Sequence, residues 1–419
     1  MEEAVVSPPL ITNDAIVLGL LTVILAGVFY TSSLDSPGWR KFYTFVPSLL
    51  LCYFIPSLFN TFNIISGEAS GLYAVASRYL LPASLALLTV SVDFNAILRL
   101  GPKAIIMFLT GTAGIIIGGP LAILAISVFA PEIVGGTGPD AVWRGMATIA
   151  GSWIGGGANQ AAMLEVFGAS GALFSIMVTV DVIVANIWMA FLLFGAGRSE
   201  KIDKYFKADA SAIEEVRDRI ENYRAGIARM PSLADTMGVV GVGFGITAIA
   251  HLIADFIAPW IQEHAPDLDR FSLTSPFFWI VVIATTLGLV LSFTRVRKLE
   301  GVGASRIGSV FLYILVATIG MQMDLTSIFY NFELFLVGLV WMMVHISLLL
   351  IVAKFVKAPF FFVAIGSQAN VGGAASAPIV ASAFHPSLAP VGVLLAVLGY
   401  ALGTYGAWLC GILMQTVSP

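Results

Sequence analysis

Gly151-Ser152-Trp153-Ile154-Gly155-Gly156-Gly157-Ala158-Asn159-Gln160-Ala161-Ala162 is a polar, glycine-broken stretch set in apolar sequence. A second of the same kind runs Gly366-Ser367-Gln368-Ala369-Asn370-Val371-Gly372-Gly373-Ala374-Ala375-Ser376-Ala377-Pro378. Each precedes the last hydrophobic run of its half of the chain. Bilayer hydrocarbon offers no partner to free backbone N–H and C=O groups, so broken backbone at that depth is tolerated only where protein buries it or a wet cavity borders it. A matched pair, one in each half, is the pattern expected where a transport protein holds its substrate.

The surrounding composition fixes the class. The chain has 419 residues, 58% hydrophobic and 11% charged, with a mean hydropathy of +0.94. That is the balance of an all-α polytopic membrane protein and of no soluble domain of this length. A net charge of −4 provides no basic surface for nucleic acid. Cys52 and Cys410 lie in apolar runs and read as packing residues, and the four histidines are scattered, so neither a disulfide framework nor a zinc site is expected. His-Glu-x-x-His, Gly-x-Ser-x-Gly and P-loop patterns are absent, so neither an enzyme nor an ATP-driven pump is expected. Met1-Glu2-Glu3 lacks the basic start of a signal peptide, so the first span is expected to be retained.

A crossing helix needs about 20 mostly apolar residues. Candidates are 14–34, 42–59, 72–92, 103–129 and 171–197 in the first half, and 234–258, 276–294, 304–323, 331–353 and 387–414 in the second. The glycine segments, about 146–168 and 359–385, fall between the fourth and fifth span of each half. They are either crossing helices with a break or re-entrant hairpins, and loop charge decides. If both are hairpins and the N-terminus lies outside, 18 of the 21 basic residues fall on the inner side, leaving Arg78, Arg144 and Arg270. This is the positive-inside pattern of an inner membrane, and a full crossing of the first segment destroys it. An arm of about ten residues rises about 15 Å, half the hydrocarbon thickness, so each tip reaches the midplane.

Five spans per half invert the second half relative to the first. The expected fold is two inverted five-helix repeats, 1–197 and 233–419, each with one re-entrant hairpin. Val92-Asp93-Phe94-Asn95-Ala96-Ile97 and Met323-Asp324-Leu325-Thr326-Ser327-Ile328 echo each other at the ends of the third and eighth spans. Residues 198–232 form a hydrophilic cytoplasmic linker. There Ser211-Ala212-Ile213-Glu214 reads as a capping box opening an amphipathic helix.

Glycine tips let a ligand approach backbone amides, and side chains beside them add donors and acceptors. The candidate substrate-binding residues are Ser152, Gly155, Gly156, Gly157, Asn159 and Gln160 of the first segment, with Ser367, Gln368, Asn370, Gly372, Gly373 and Ser376 of the second. Close helix packing explains neighbouring alanines such as Ala374 and Ala375, but not two buried amides, which need partners. Asp181 lies mid-span, where an ionisable group is costly. With Thr179 and Asn186 nearby it is the candidate site for a coupling ion, sodium or a proton. The bland readings are helix capping for Asp93 and Asp324, an interhelical hydrogen bond for His345, and snorkelling for Arg78. Glu165 is expected to face water at the hairpin mouth, and Trp39, Trp143, Trp260 and Trp279 to sit at the interfaces.

The first glycine segment, from Gly151 to Gln160, resembles the YjcL-like family of bacterial membrane proteins, a domain of unknown function, and the resemblance extends over the whole chain. Gly155-Gly156-Gly157 and Gly372-Gly373 are similar to the loop tips of sodium/glutamate symporters and sodium-coupled 2-hydroxycarboxylate transporters. No Arg or Lys follows Ala358, so the arginines of the citrate-type second loop have no counterpart. The resemblance implies a homodimer in lipid with an elevator-like substrate domain. The expected function is a sodium-coupled secondary transporter for a small carboxylate-bearing solute, such as an amino acid, small peptide or organic acid. A monovalent cation/proton antiporter using Asp181 is the alternative. No cofactor other than the coupling ion is expected.

Overall fold

The computed structural model describes residues 9–46, 48–67, 69–208, 230–323, 333–385 and 388–419. Among these residues every regular element is helical and no strand occurs. The first half supplies α1 (Asp14–Ser33), α2 (Pro37–Phe45), α3 (Ser48–Thr61), α4 (Leu72–Val90), α5 (Pro102–Ser127), α6 (Val142–Phe167), α7 (Gly171–Ala196) and the short α8 (Ser199–Phe206). The second half supplies α9 (Leu233–His264), α10 (Pro276–Ser292), α11 (Ala304–Gly320), α12 (Leu334–Val356), α13 (Phe360–Val371), α14 (Gly373–Phe384) and α15 (Ala389–Val417). The proposed linker helix and Asp324 lie outside the described residues.

Seven of these helices are long and apolar enough to cross a bilayer, or up to nine if two bent pairs each count as one span. One bent pair corrects the expected span 42–59: Pro37–Tyr43 and Ser48–Thr61 meet at 83°. Ser36 caps α2 by accepting from the Trp39 N–H, Pro37 suits its first turn, and the Tyr43 hydroxyl donates to Val28 O at 3.0 Å. The expected span 304–323 is a helix of only 17 residues. Large apolar side chains such as Val23, Phe191 and Phe256 are exposed, as a surface bathed in lipid requires.

Both glycine segments reverse direction. In a straight helix Trp143 and Phe167 stand about 36 Å apart at 1.5 Å per residue. Instead their rings meet edge to face at 5.4 Å, and the Arg144 guanidinium donates to Phe167 O. The reversal is at Gly156, with φ 73° and ψ −174°. The second segment reverses at Gly372–Gly373, where Gly373 takes φ 56°. Phe361 at one end then stacks edge-on to Phe384 at the other, 5.3 Å between centroids. Both segments are therefore helical hairpins. The first is longer at its mouth than expected, beginning at Val142 instead of 146.

Small residues set the packing. Gly399 and Gly403 lie one turn apart on α15 and receive the first hairpin backbone to backbone: a Cβ on Gly403 would stand 2.5 Å from Gly155 Cα, and one on Gly399 2.6 Å from Ile154 O. On α5, Gly114 and Gly118 admit His345 and Trp341 of α12, and the Trp341 indole donates to Ile115 O at 2.8 Å. In the other bundle the halves exchange partners. Helix α4 packs on α9 and α10, whereas α11 packs on α1 and α3. The outcome is one bundle of early spans beside another built from α5, α7, α12, α15 and the two hairpins.

Candidate functional site

The site starts from Asp181. Helix α7 is unbroken, opened by Ser170, whose hydroxyl accepts from the Leu173 N–H at 3.1 Å. Halfway along, Asp181 is buried and accepts two charge-assisted bonds from the first hairpin. Trp153 Nε1 donates to Oδ1 at 2.7 Å, and Gln160 Nε2 donates to Oδ2 at 3.0 Å. Trp153 precedes the reversal and Gln160 follows it, so one carboxylate clamps both arms to α7.

The two asparagines dock the hairpins. Asn159 Nδ2 donates to Gly155 O and Tyr400 O, at 3.0 and 3.3 Å, and its Oδ1 accepts from Thr404 at 2.7 Å. Asn370 repeats the arrangement on α5: Nδ2 donates to Gly366 O and Phe108 O, at 2.8 and 2.9 Å, and Oδ1 accepts from Thr112 at 2.8 Å. Each amide is satisfied by its own preceding turn and by one neighbouring helix. Ser367 joins a buried chain. The carbonyl of Gly111 only accepts, so His345 Nδ1, 3.0 Å away, carries the proton. His345 Nε2 then accepts from the Ser367 hydroxyl at 2.7 Å, and Ser367 Oγ accepts from the Trp188 indole at 2.7 Å. The interhelical role expected of His345 is the one observed.

A cavity of about 360 Å³ lies between the hairpins. Both reversal points wall it, Gly156 with Gly157 and Gly372 with Gly373. Ser152 and Gln368, each four residues before its reversal, face it together with Ser376. Helix α7 contributes Asp181 and Asn186, and Tyr313 and Tyr400 enter from α11 and α15. Among the described residues Asp181 is the one carboxylate that lines the cavity, and no Lys, Arg or His does. The Gln368 amide donates from Nε2 to Ser376 Oγ at 2.7 Å, whereas its Oε1 is buried without a partner.

Seven of the twelve candidate tip residues therefore share one cavity: Ser152, Gly156, Gly157, Gln368, Gly372, Gly373 and Ser376. Gly155, Asn159, Gln160, Ser367 and Asn370 do not line it; they are spent on packing and docking. Of the ion-site candidates, Asp181 and Asn186 line the cavity, and Thr179 does not. Two residues turn a helix by about 200°, so Thr179 points away from Asp181, and its hydroxyl donates to Ser175 O at 3.1 Å. Asn186 bonds back to Val182 O at 2.7 Å. Among the described residues no group of three or more His, Cys, Asp or Glu side chains is placed to hold a metal ion.

Other expectations resolve simply. Asp93 caps the short helix Phe94–Leu98 through the Ala96 N–H at 3.0 Å and pairs with Arg297 at 3.0 Å. Arg78 lies over the Phe277 ring, 4.9 Å from its centroid, away from the cavity. Glu165 does not simply face water but accepts from the Tyr73 hydroxyl, joining the first hairpin to α4. Trp143 is buried at the hairpin mouth, a correction to its reading as an interfacial anchor. Trp153 and Tyr313 were not singled out from sequence. Trp153 carried a signal, since a buried indole N–H seeks an acceptor and Asp181 is the carboxylate at that depth; Tyr313 carried none.

Fold and site define a multi-pass helical membrane protein with a glycine-walled cavity between two helical hairpins. The chain belongs to the family described as protein of unknown function (DUF819), which matches residues 19–417. It is similar to a Bacillus subtilis (strain 168) protein named uncharacterized membrane protein YjcL, 24% identical over 348 residues, covering 80% of this chain and 82% of that one.

Proposed function

We propose that this protein is a sodium-coupled secondary transporter for a small carboxylate-bearing solute, working by elevator-type alternating access. The observation that carries this reading is the convergence of both hairpin reversals and Asp181 on one cavity. Each reversal presents the carbonyl end of one helical arm, which favours a cation, and the N–H end of the next, which favours a carboxylate. Asp181 supplies the charged oxygen ligand for sodium.

The full topology belongs to the same proposal: ten spans in two inverted repeats, with the first hairpin entering from outside and the second from inside. The partner exchange of α4 and α11 supports it, because two inverted halves related by a two-fold axis pack in that reciprocal way. The early-span bundle is the scaffold and carries the homodimer contact, as in the sodium/glutamate and 2-hydroxycarboxylate transporters it resembles. The cavity touches Leu49 at the start of α3 and Ser309 near the start of α11. Both are inner ends in this topology, which supports an inward-facing state. The Tyr73–Glu165 bond then closes the outer side.

Asp181, as the lone carboxylate of the cavity among the described residues, gives the cation/proton antiporter reading its support. Proteoliposomes separate the two. Uptake of an amino acid or organic acid that requires an inward sodium gradient is the expected result. Sodium-driven proton efflux with no solute requirement makes the protein an antiporter instead.

A further inference from the structure

The charge pattern of the cavity narrows the solute, on the assumption that the transporter reading holds. With sodium beside Asp181 the side chains sum to zero, because no Lys, Arg or His lines the cavity among the described residues. The two hairpins leave it dipolar, not charged. Helix α14 begins at the cavity wall, with Gly373, Ala374, Ala375 and Ser376 all lining it and no side chain capping its first turn. Those N–H groups have no partner within the helix and attract an anion. An independent feature points to a donor on the same solute. Gln368 is 1% exposed and lines the cavity, and among the described residues its Oε1 has no hydrogen-bond partner. A buried amide oxygen left unpaired is costly, so its partner is expected from the ligand.

We infer that the solute is a zwitterion with an apolar body, an amino acid or a dipeptide, whose ammonium bonds Gln368 Oε1 and whose carboxylate rests on the first-turn N–H groups of α14. A dicarboxylate would bring a second negative charge with no cationic side chain among the described lining residues to meet it. A lone carboxylate leaves Gln368 unpaired. Leu49, Leu312, Met189 and Val371 suit the apolar body.

The test is ligand-induced thermal stabilisation of the purified full-length protein in sodium buffer. The probes are leucine and alanyl-leucine, their amine-free or N-acetylated counterparts, and succinate. Leucine or alanyl-leucine is expected to bind at least about tenfold more tightly than the counterpart lacking a free ammonium, the scale of one charge-assisted hydrogen bond. Gln368→Met, close in size but without the acceptor, is expected to erase that preference while sodium alone still stabilises the protein. Equal or tighter binding of an amine-free acid or of succinate overturns the inference and leaves the transporter reading intact. Retention of the preference in Gln368→Met overturns the role of Gln368. Silence toward every probe overturns the carboxylate-solute reading together with the inference built on it.

Discussion

At the residue scale, Asp181 and Gly156 carry separable roles. Asp181→Asn preserves size but offers one oxygen where two N–H donors, from Trp153 and Gln160, now bond. One donor is left unpaired, at a cost of about 1–3 kcal/mol. The variant is expected to stay folded, judged by a monodisperse elution profile, and to lose sodium-driven uptake. Normal uptake would remove Asp181 from the mechanism. Gly156 sits at φ 73°, ψ −174°, a region that side chains avoid. A Cβ there has room, with Tyr400 Cε1 nearest at 3.5 Å, so the penalty is backbone strain and not collision. Gly156→Ala is expected to lower stability by about 1–3 kcal/mol. The neighbouring Gly157→Ala, whose added Cβ has nothing nearer than 3.9 Å, is expected to change it little. Thermal denaturation in detergent reads both.

At the element scale, the first hairpin is held by close backbone contact. Gly403→Ala forces a Cβ to within 2.5 Å of Gly155 Cα, so hairpin and α15 must part. A marked fall in melting temperature is expected. Gly241→Ala, on an open face of α9, is expected to be neutral or slightly stabilising, since alanine is the better helix former. Equal effects would show that the glycines matter for propensity alone. The Tyr73–Glu165 bond is the proposed outer latch between the two bundles. Tyr73→Phe removes the donor without changing packing. A cysteine placed at Ser152 in the cavity is expected to react faster with an impermeant thiol reagent from outside in that background. An unchanged rate makes the bond a packing contact only.

At the scale of the whole molecule, topology is the testable quantity. Cys52 and Cys410 are fully buried, so they are expected to stay silent to impermeant maleimides. Against that background Glu132→Cys is expected to be labelled in whole cells, and Lys201→Cys only after the membrane is opened. The reverse pattern turns the protein over and the sidedness of both hairpins with it. Hydropathy gave most of the helices to within a few residues, because bilayer thickness imposes a length that composition reveals directly, but not the 83° bend between Pro37–Tyr43 and Ser48–Thr61. The hairpins were legible too, since glycine at a reversal is a local backbone requirement and loop charge is counted along the chain. Asp181 stands out in the sequence because an acid in an apolar run is costly, whereas its clamping of both hairpin arms does not. Partner choice was not. Nothing local distinguishes Asn159 and Asn370, which dock hairpins onto α15 and α5, from Gln368, which lines the cavity and whose buried Oε1 has no partner among the described residues. An amide spends its hydrogen bonds on whichever groups packing brings near. By itself, then, the sequence determined the class of protein, most of its helices and its two reversals, because those follow from local composition and backbone geometry. Only the tertiary structure decided which polar side chains fasten the hairpins and which line the cavity, because that depends on contacts between residues up to 262 positions apart.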